Sequence, residues 1–259
     1  RLPPISKMLP NTTLFRSIIF SAGLGTRLKP ITDTMPKALV PVAGKPLLQW
    51  SIEKLILAGC TKIVVNVHHF PEMIRNFLAE NSNFGIDIHI SDETDAILDT
   101  GGGLLKASEF FNNEEPIVAH NVDVISSLDI KEVVNIHRTS KALATLVVRN
   151  RQTQRYLLFD DRMLLAGWKN IATGEIRQAR KYSVEKLKPL AFSGIHILSP
   201  EIFPLITQTG KFSIIETYLE LAKSNRISGF EDRSELWVDV GKIEQLSEAT
   251  VKIHLLTNL

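Results

Sequence analysis

A glycine-rich, basic segment near the start of the chain contains the residue types that bind phosphate groups. Gly23 and Gly25 lack side chains, so the backbone N–H groups beside them can approach an anion closely. Across residues 23–46 there are four basic side chains and one acidic side chain. The basic residues are Arg27, Lys29, Lys37 and Lys45. Because the formal net charge of the whole chain is only +2, this local excess predicts a binding site for a polyphosphate, with Arg27 and Lys37 in a solvent-open loop.

The segment differs from two widespread phosphate-binding motifs. A Walker P-loop has Ser or Thr after its lysine, but Pro46 follows Lys45 here. A dinucleotide-binding fingerprint has a third glycine and opens a helix, and the sequence after Gly25 has neither feature. A glycine turn with solvated basic residues is the alternative interpretation. The spacing of Arg27 and Lys37 after the glycines favours phosphate binding over that alternative.

The hydrophobic pattern predicts the elements that must position this segment. A short apolar strand at 18–20 leads directly into the glycines, which is where open α/β sheets bind ligands. Helices and strands then alternate at the spacing of βαβ units, which predicts a mostly parallel sheet flanked by helices. The predicted helices cover 47–58, 71–80, 101–111 and 129–137, and the predicted strands cover 62–67, 86–90, 117–119 and 143–148.

The pattern changes in the second half of the chain. Two short apolar runs, at 156–159 and 163–166, flank a polar turn and predict an antiparallel hairpin. Further strands are predicted at 191–198 and 236–240, and further helices at 214–223 and 243–256. Neither a linker nor an internal repeat interrupts the chain, so residues 18–259 are predicted to form a single domain. Residues 1–17 contain three prolines and no periodicity, and they are expected to be a disordered or non-native extension.

Composition and charge exclude several classes of protein. Acidic residues (28) nearly balance basic residues (30), which argues against a nucleic-acid-binding polycation. The single cysteine, Cys60, excludes an internal disulfide and disfavours a cysteine-based zinc site. No apolar run reaches the roughly 18–20 residues of a membrane span, and no secretory signal is recognised. We therefore expect a cytoplasmic protein that binds neither nucleic acid nor membrane, and the oligomeric state stays open.

Two consecutive motifs resemble the signature of the sugar-1-phosphate nucleotidylyltransferase family. The first is Gly23-Leu24-Gly25-Thr26-Arg27-Leu28-x-Pro30, and the second is Pro36-Lys37-x-Leu39-x-Pro41-Val42-x-Gly44-Lys45-Pro46. Weaker matches extend the resemblance over residues 18–254. They are Val65-Asn66-Val67-His68-His69, Asp99-Thr100-Gly101-Gly102-Gly103, Asn121-Val122-Asp123, Phe192-Ser193-Gly194-Ile195, Phe212-Ser213-Ile214-Ile215-Glu216 and Trp237-Val238-Asp239-Val240-Gly241. The resemblance implies a Rossmann-like α/β fold and conversion of an NTP and a sugar 1-phosphate into an NDP-sugar and pyrophosphate, with Mg²⁺ as cofactor.

The resemblance also implies roles for individual residues. Arg27 and Lys37 would be catalytic, with Arg27 on the β- and γ-phosphates and Lys37 on the α-phosphate. Asp123 and Asp239 would be the Mg²⁺ ligands, and Mg²⁺ does prefer one or two carboxylates plus substrate oxygens and water. The nucleotide would be bound by Ala22, Gly23, Leu24, Gly25, Thr26, Arg27, Lys37, Asn66, Gly101 and Gly102. Turn-capping is the alternative role for each aspartate.

The sugar-phosphate site is less well defined by the resemblance. Lys186 and Gly194 would bind the sugar phosphate, although Lys188 competes with Lys186 because this element is unusually close to the next strand. The motifs look most like those of N-acetylmuramate-1-phosphate uridylyltransferases and mannose-1-phosphate guanylyltransferase-like proteins. This similarity favours UTP, with GTP next, and leaves the sugar open.

Two other functions fit a chain of this kind. A catalytically silent homologue would bind nucleotide sugars for regulation, but the four charged residues of the implied site are all present. A glycosyltransferase on a similar fold would use a nucleotide sugar instead of making one. Such enzymes commonly carry Asp-x-Asp at the strand end, where this chain has Asn121-Val122-Asp123.

Overall fold

A central mixed sheet organises the chain. The computed structural model describes residues 14–111, 115–181 and 183–257. The strands are β1 (Phe15–Phe20), β2 (Pro41–Val42), β3 (Lys45–Pro46), β4 (Cys60–Val67), β5 (Asp87–Asp92), β6 (Ile117–Asn121), β7 (Val124–Ser126), β8 (Ala144–Arg149), β9 (Arg155–Phe159), β10 (Leu165–Asn170), β11 (Ile176–Gln178), β12 (Lys188–Leu198), β13 (Ile227–Glu231) and β14 (Trp237–Asp239). The helices are α1 (Leu47–Ala58), α2 (Pro71–Glu80), α3 (Asp99–Ala107), α4 (Ile130–Ser140), α5 (Ile214–Leu221) and α6 (Ile243–Thr257).

The strands of the first half form a parallel core, as predicted. β1 pairs in parallel with both β4 and β6, and β5 pairs in parallel with β4. β12 then joins β6, β8 and β9 in antiparallel pairing, and β9, β10 and β11 continue as an antiparallel meander. The fold prediction is therefore confirmed: a Rossmann-like sheet flanked by helices, with antiparallel insertions in the second half.

Helices cover both faces of this sheet. One face buries apolar residues from α1, α2, α4 and α6, and the other buries those of α3 and α5. Adjacent strand residues supply opposite faces: Ile19 packs in the first cluster and Ile18 in the second, and both are fully buried. Coverage of both faces explains why the inner strands β1, β4 and β6 contain runs of consecutive apolar residues. β5, at the edge of the sheet, alternates polar and apolar residues instead.

The predicted start of the fold is wrong by three residues. β1 begins at Phe15, which is fully buried and pairs with Cys60, and Ser17 is buried as well. Residues 15–17 therefore belong to the sheet and not to an extension. Arg16 and Ser17 are charged and polar, so the first half of β1 does not form an apolar run in the sequence. Ser17 can be buried because its hydroxyl donates to Val118 O across the sheet (2.6 Å). The predicted extension over 1–13 lies outside the described residues.

Small two-stranded sheets, which the sequence did not predict, sit at the rim of the fold. β7 pairs with β14, and β2 pairs with β3. The β7–β14 pair matters for the site because it joins residues from the middle and the end of the chain.

Among the described residues, no helix has both the length and the apolar character needed to cross a membrane.

Candidate active site

The glycine-rich loop begins at the carboxyl end of β1 and is fixed there by a buried amide. Asn66 Oδ1 accepts hydrogen bonds from Ser21 N (2.6 Å) and Ala22 N (3.2 Å). Asn66 Nδ2 donates to Glu93 Oε1 (2.7 Å), and Glu93 is only 1% exposed. The Asn66 side chain thus holds the start of the loop from inside the protein. Direct contact of this amide with a nucleotide stays a prediction.

Gly25 allows the loop to close on itself. Its φ of +63° lies in the left-handed region, and a Cβ there would be 2.9 Å from Thr32 Cγ2 and 3.0 Å from Lys37 Cβ. Gly25 O accepts hydrogen bonds from Leu28 N (2.8 Å) and Thr32 Oγ1 (2.9 Å). A larger residue at this position would push the loop away from Lys37. Gly23 meets no such crowding and faces open space.

A cavity of about 220 Å³ lies beside this loop. Five of the predicted site residues line it, together with residues from neighbouring strand ends and from the start of α3. The predicted residues in its wall are Ala22, Gly23, Lys37, Asn66 and Asp123, and the others are Phe20, Ser21, Glu93, Ile97, Asp99, Thr100, Asn121 and Val122. The cavity therefore lies at the carboxyl edge of the parallel strands, as the sequence predicted for a ligand site.

Lys37 faces Asp123 across the base of the site. Its Nζ donates a hydrogen bond to Asp123 Oδ2 and forms an ion pair with that carboxylate. The Lys37 residue is only 9% exposed, so the expectation that it lies in a solvent-open loop is wrong. The loop folds back over its aliphatic stem, because Gly25 leaves room for Lys37 Cβ. Arg27, in contrast, is exposed as expected.

The structure places Asp239, the last residue of β14, next to the turn between β6 and β7 that contains Asp123. Asp239 ends β14 and pairs with Val124 of β7, and Val240 N donates to Asp123 O (2.9 Å). Burial and then the Asp123 carboxylate raise the pKa of Asp239 above its ordinary value. The positive charges of Lys37, Arg27 and Arg151 act in the opposite direction. The two predicted metal ligands therefore share one electrostatic site.

The charge and hydrogen bonding of this pair fit a divalent cation. Within the described residues, the buried Asp239 Oδ1 has no hydrogen-bond partner. The described residues contain no group of three or more His, Cys, Asp or Glu side chains arranged to hold a metal. An ion here would therefore have two carboxylates and complete its coordination with substrate oxygens and water, which is typical of Mg²⁺.

Arg27 lies against the chain just beyond Asp239. A Cβ at Gly241 would be 2.8 Å from Arg27 Nη2 and 3.3 Å from Asp239 Oδ1. Gly241 therefore leaves the space that the guanidinium occupies beside the carboxylate. This contact places the exposed Arg27 at one side of the two-aspartate pair.

The glycines of α3 serve packing. A Cβ at Gly101 would be 2.3 Å from the Phe212 ring, and one at Gly102 would be 2.1 Å from Gly210 O. Gly101 N also donates to Phe212 O (2.9 Å). Both glycines are buried, and Asp99 and Thr100, at the start of the same helix, line the cavity instead. A nucleotide contact of Gly101 and Gly102 stays a prediction.

The two predicted sugar-phosphate residues lie in different places. Gly194 is close to the aspartates, since a Cβ there would be 2.8 Å from Val124 Cγ2 and 3.0 Å from Asn121 Nδ2. Lys186 is exposed at the end of a short turn before β12 and does not reach the cavity wall. Lys188 pairs instead with Glu231 (2.6 Å). The structure therefore brings only Gly194 to the site.

Sequence reasoning missed Glu93 and Arg151. Glu93 Oε2 accepts a hydrogen bond from Leu98 N (3.0 Å), so one buried carboxylate links Asn66 to the segment before α3. Arg151 follows β8 and acts electrostatically on Asp239. Neither residue belongs to a motif, and the one signal for each was its position just beyond a strand.

Comparisons with known proteins show which family the chain resembles. A family model described as nucleotidyl transferase matches residues 16–255. The chain is 30% identical over 238 residues to the N-acetylmuramate alpha-1-phosphate uridylyltransferase of Neisseria meningitidis serogroup B, an alignment that covers 90% of this chain and 96% of that protein. It is 29% identical over 238 residues to the mannose-1-phosphate guanyltransferase of Gibberella zeae, covering 91% of this chain.

These alignments differ in how much of each relative they include. The chain spans only 63% of the length of the Gibberella guanyltransferase.

The fold also matches that of a UTP-bound UGPase from Acinetobacter baumannii, with a TM-score of 0.74 over 94% of both chains. The sequence identity in that match is 16%, so it supports the fold alone.

Proposed function

The chain belongs to the nucleotidyl transferase family, and from that premise we propose that it transfers a nucleotidyl group from an NTP to a sugar 1-phosphate. The products are an NDP-sugar and pyrophosphate, and Mg²⁺ is the cofactor. The observation that best supports this proposal is the meeting of Arg27, Lys37, Asp123 and Asp239 at one edge of the sheet. Because NTPs are substrates, we propose a cytoplasmic location.

The chemistry of the reaction matches these residue types. An oxygen of the sugar phosphate attacks the α-phosphorus of the NTP and forms a new P–O bond. The bond between the α-phosphorus and the bridging oxygen of the β-phosphate breaks, and pyrophosphate leaves with that oxygen. No covalent bond to the protein is needed, so positioning and charge neutralisation are the main contributions of the protein.

Each charged residue has a defined task in this proposal. The loop N–H groups and Arg27 hold the β- and γ-phosphates, where negative charge develops on the leaving pyrophosphate. Lys37 holds the α-phosphate from the buried side of the cleft. Asp123 and Asp239 would hold Mg²⁺, which supplies neutralisation of phosphate charge when it is bound. Asn66 keeps the loop in position through the Ser21 and Ala22 N–H groups.

We propose UTP as the preferred nucleotide, with GTP next. The similarity to the Neisseria uridylyltransferase, which includes 96% of that protein, supports UTP. The similarity to the Gibberella guanyltransferase supports GTP as the second candidate.

A pyrophosphate-release screen tests the function directly. Each of the four NTPs is combined with a panel of hexose and N-acetylhexosamine 1-phosphates, and the product is identified by mass. The proposal expects Mg²⁺-dependent release with at least one pair, and release slower by a factor on the order of 10²–10³ with the Arg27→Ala variant. Nucleotide binding without release from any pair would instead support the catalytically silent homologue.

A further inference from the structure

A second arginine lies at the same edge of the sheet as the two aspartates. β6 and β8 both pair antiparallel with β12, so they run parallel to each other and end at the same edge. Asp123 follows β6, and Arg151 follows β8 by two residues. The topology therefore delivers Arg151 to the carboxyl edge, where ligands of such sheets bind.

The guanidinium of Arg151 is held in a fixed orientation. Its Nη2 donates to Phe192 O (3.1 Å), and its central carbon lies 4.4 Å from the centroid of the Trp237 ring. Trp237 is itself anchored, since Nε1 donates to Ser193 O (3.1 Å). A stacked, hydrogen-bonded guanidinium loses little freedom when it binds a further anion.

Arg151 and Arg27 contact the chain before and after Asp239, respectively. Alternate residues of a strand share a face, so Trp237 and Asp239 point the same way from β14. Arg151 stacks on Trp237, two residues before Asp239, and Arg27 lies against Gly241, two residues after it. Both guanidiniums act on the Asp239 carboxylate. Two phosphate groups bound near Asp239 would thus each have an arginine available.

Arg151 also keeps a donor available. Within the described part of the chain, the buried Arg151 Nε has no hydrogen-bond partner. The nearby Arg149 provides a contrast, because it donates to Asp232 Oδ2 (2.5 Å) and Ser234 O (2.8 Å) and is therefore a structural residue. A buried, unpaired N–H is costly unless a ligand satisfies it.

We infer that Arg151 binds the phosphate group of the sugar 1-phosphate, in a subsite beside Asp239 that is separate from the contact of Arg27. This inference rests on the proposed function. In-line displacement requires the acceptor phosphate and the leaving pyrophosphate to lie on opposite sides of the reacting α-phosphate, so an acceptor phosphate needs a cation other than the Arg27 that holds the pyrophosphate. Trp237 and the Phe192 carbonyl orient the guanidinium for this contact. Arg151 acts electrostatically on Asp239, whereas Lys186 is exposed in the turn before β12.

Steady-state kinetics of Arg151 variants test the inference. The full chain is assayed with the NTP and sugar 1-phosphate that give the most pyrophosphate, and each substrate is varied in turn. Arg151→Met should raise the KM for the sugar 1-phosphate by roughly 10- to 100-fold, as expected for loss of charge-assisted hydrogen bonds. The KM for the NTP should stay within about threefold, and Arg151→Lys should recover part of the loss because it keeps the charge but not the planar fork. Arg155→Met, at an exposed arginine of the next strand, is the matched control.

Three results would overturn the assignment. One is an unchanged KM for the sugar 1-phosphate in Arg151→Met. A second is an equal rise in both KM values together with a lower Tm, which would mark a structural role. The third is a change confined to the Mg²⁺ requirement, which would mean that Arg151 acts only through Asp239.

A binding measurement separates this inference from the proposed function. If the wild-type protein releases pyrophosphate with no substrate pair, the proposed function fails. The ³¹P line width of α-D-glucose 1-phosphate and α-D-mannose 1-phosphate then decides the role of Arg151. Broadening by wild type and Arg155→Met, but not by Arg151→Met, supports the assignment. Equal broadening by all three proteins, or none by wild type, refutes it.

Discussion

Lys37 Nζ donates a hydrogen bond to one of the carboxylate oxygens that would hold a metal, Asp123 Oδ2. This pairing links the phosphate loop to the two-aspartate site before any substrate binds. Burial and the neighbouring Asp123 carboxylate raise the pKa of Asp239. The positive charge of Lys37 partly offsets the repulsion between the two carboxylates. A bound cation would take over this compensation and free Lys37 Nζ to contact the α-phosphate.

Replacing Lys37 should therefore impair both activity and stability. Lys37→Met keeps much of the aliphatic stem but leaves Asp123 facing Asp239 with one compensating charge fewer. We expect turnover to fall by a factor on the order of 10²–10³ and the free energy of unfolding to fall by about 1–3 kcal/mol. Urea unfolding without divalent metal measures the second effect. An unchanged free energy of unfolding would contradict the structural part of the argument.

Replacing Arg27, unlike replacing Lys37, should impair activity without lowering stability. Its side chain is exposed and lies against Gly241, so Arg27→Ala removes a positioned charge but little packing. Turnover should fall by a factor on the order of 10²–10³ while Tm stays unchanged. Lys29→Ala is the control, because Lys29 is a nearby exposed cation paired with Asp33 (2.8 Å). Equal losses of activity in both variants would show a nonspecific charge effect.

The sequence predicted some of these relationships and missed others for identifiable physical reasons. α1 was predicted at its observed bounds, 47–58, because its apolar periodicity is clear and Gly59, with a φ of +103°, ends it. The sequence around Asp123 and Asp239 predicted two strand ends, but their pairing through β7 and β14 is a long-range contact that no local pattern encodes.

The missed features are of the same long-range kind. Lys37 was expected to be open to solvent because it belongs to a glycine-rich segment with an excess of basic residues. Its burial arises from the fold-back of the loop at Gly25. Glu93 was missed because a single acid after a strand has no distinctive sequence context. Its role comes from contacts with Asn66 and Leu98, which are contributed by β4 and by the segment before α3.

Removing divalent metal should abolish the reaction and lower stability. Mg²⁺ binding to the native state adds a free energy of RT ln(1 + [Mg²⁺]/Kd) to that of unfolding, so Tm should rise with Mg²⁺ concentration and return to the starting value with EDTA. Asp239→Asn removes one of the two charges and should greatly weaken both the Tm increase and the activity at low Mg²⁺. The exposed Asp33→Asn variant serves as the control. Full activity of the wild-type protein in EDTA would refute the metal site.

Lys54 provides a test of the contact between α1 and β7 that positions the chain next to Asp123. Its Nζ donates to Ser126 O and Leu128 O (2.7 Å each), so it ties α1 to β7, the strand that follows Asp123. Burial, only partly opposed by Asp129 and Asp232, lowers the pKa of Lys54 from 10.5 to about 8. Between these two pH values the unfolded chain keeps the proton and the native protein releases it. Since the unfolded state then binds more protons, this group makes the native state more stable as pH rises from about 8 to 10.5.

The pH dependence of unfolding should reveal this contribution. The free energy of unfolding of wild type is compared with that of Lys54→Met at intervals between pH 7 and 10. The difference between the two proteins should be constant below about pH 8 and should then shift in favour of wild type. Lys131→Met, at an exposed lysine of α4, should run parallel to wild type over the whole range. A constant difference between wild type and Lys54→Met up to pH 10 would mean that Lys54 is solvated in the native state, and the tie between α1 and β7 would then lose its physical basis.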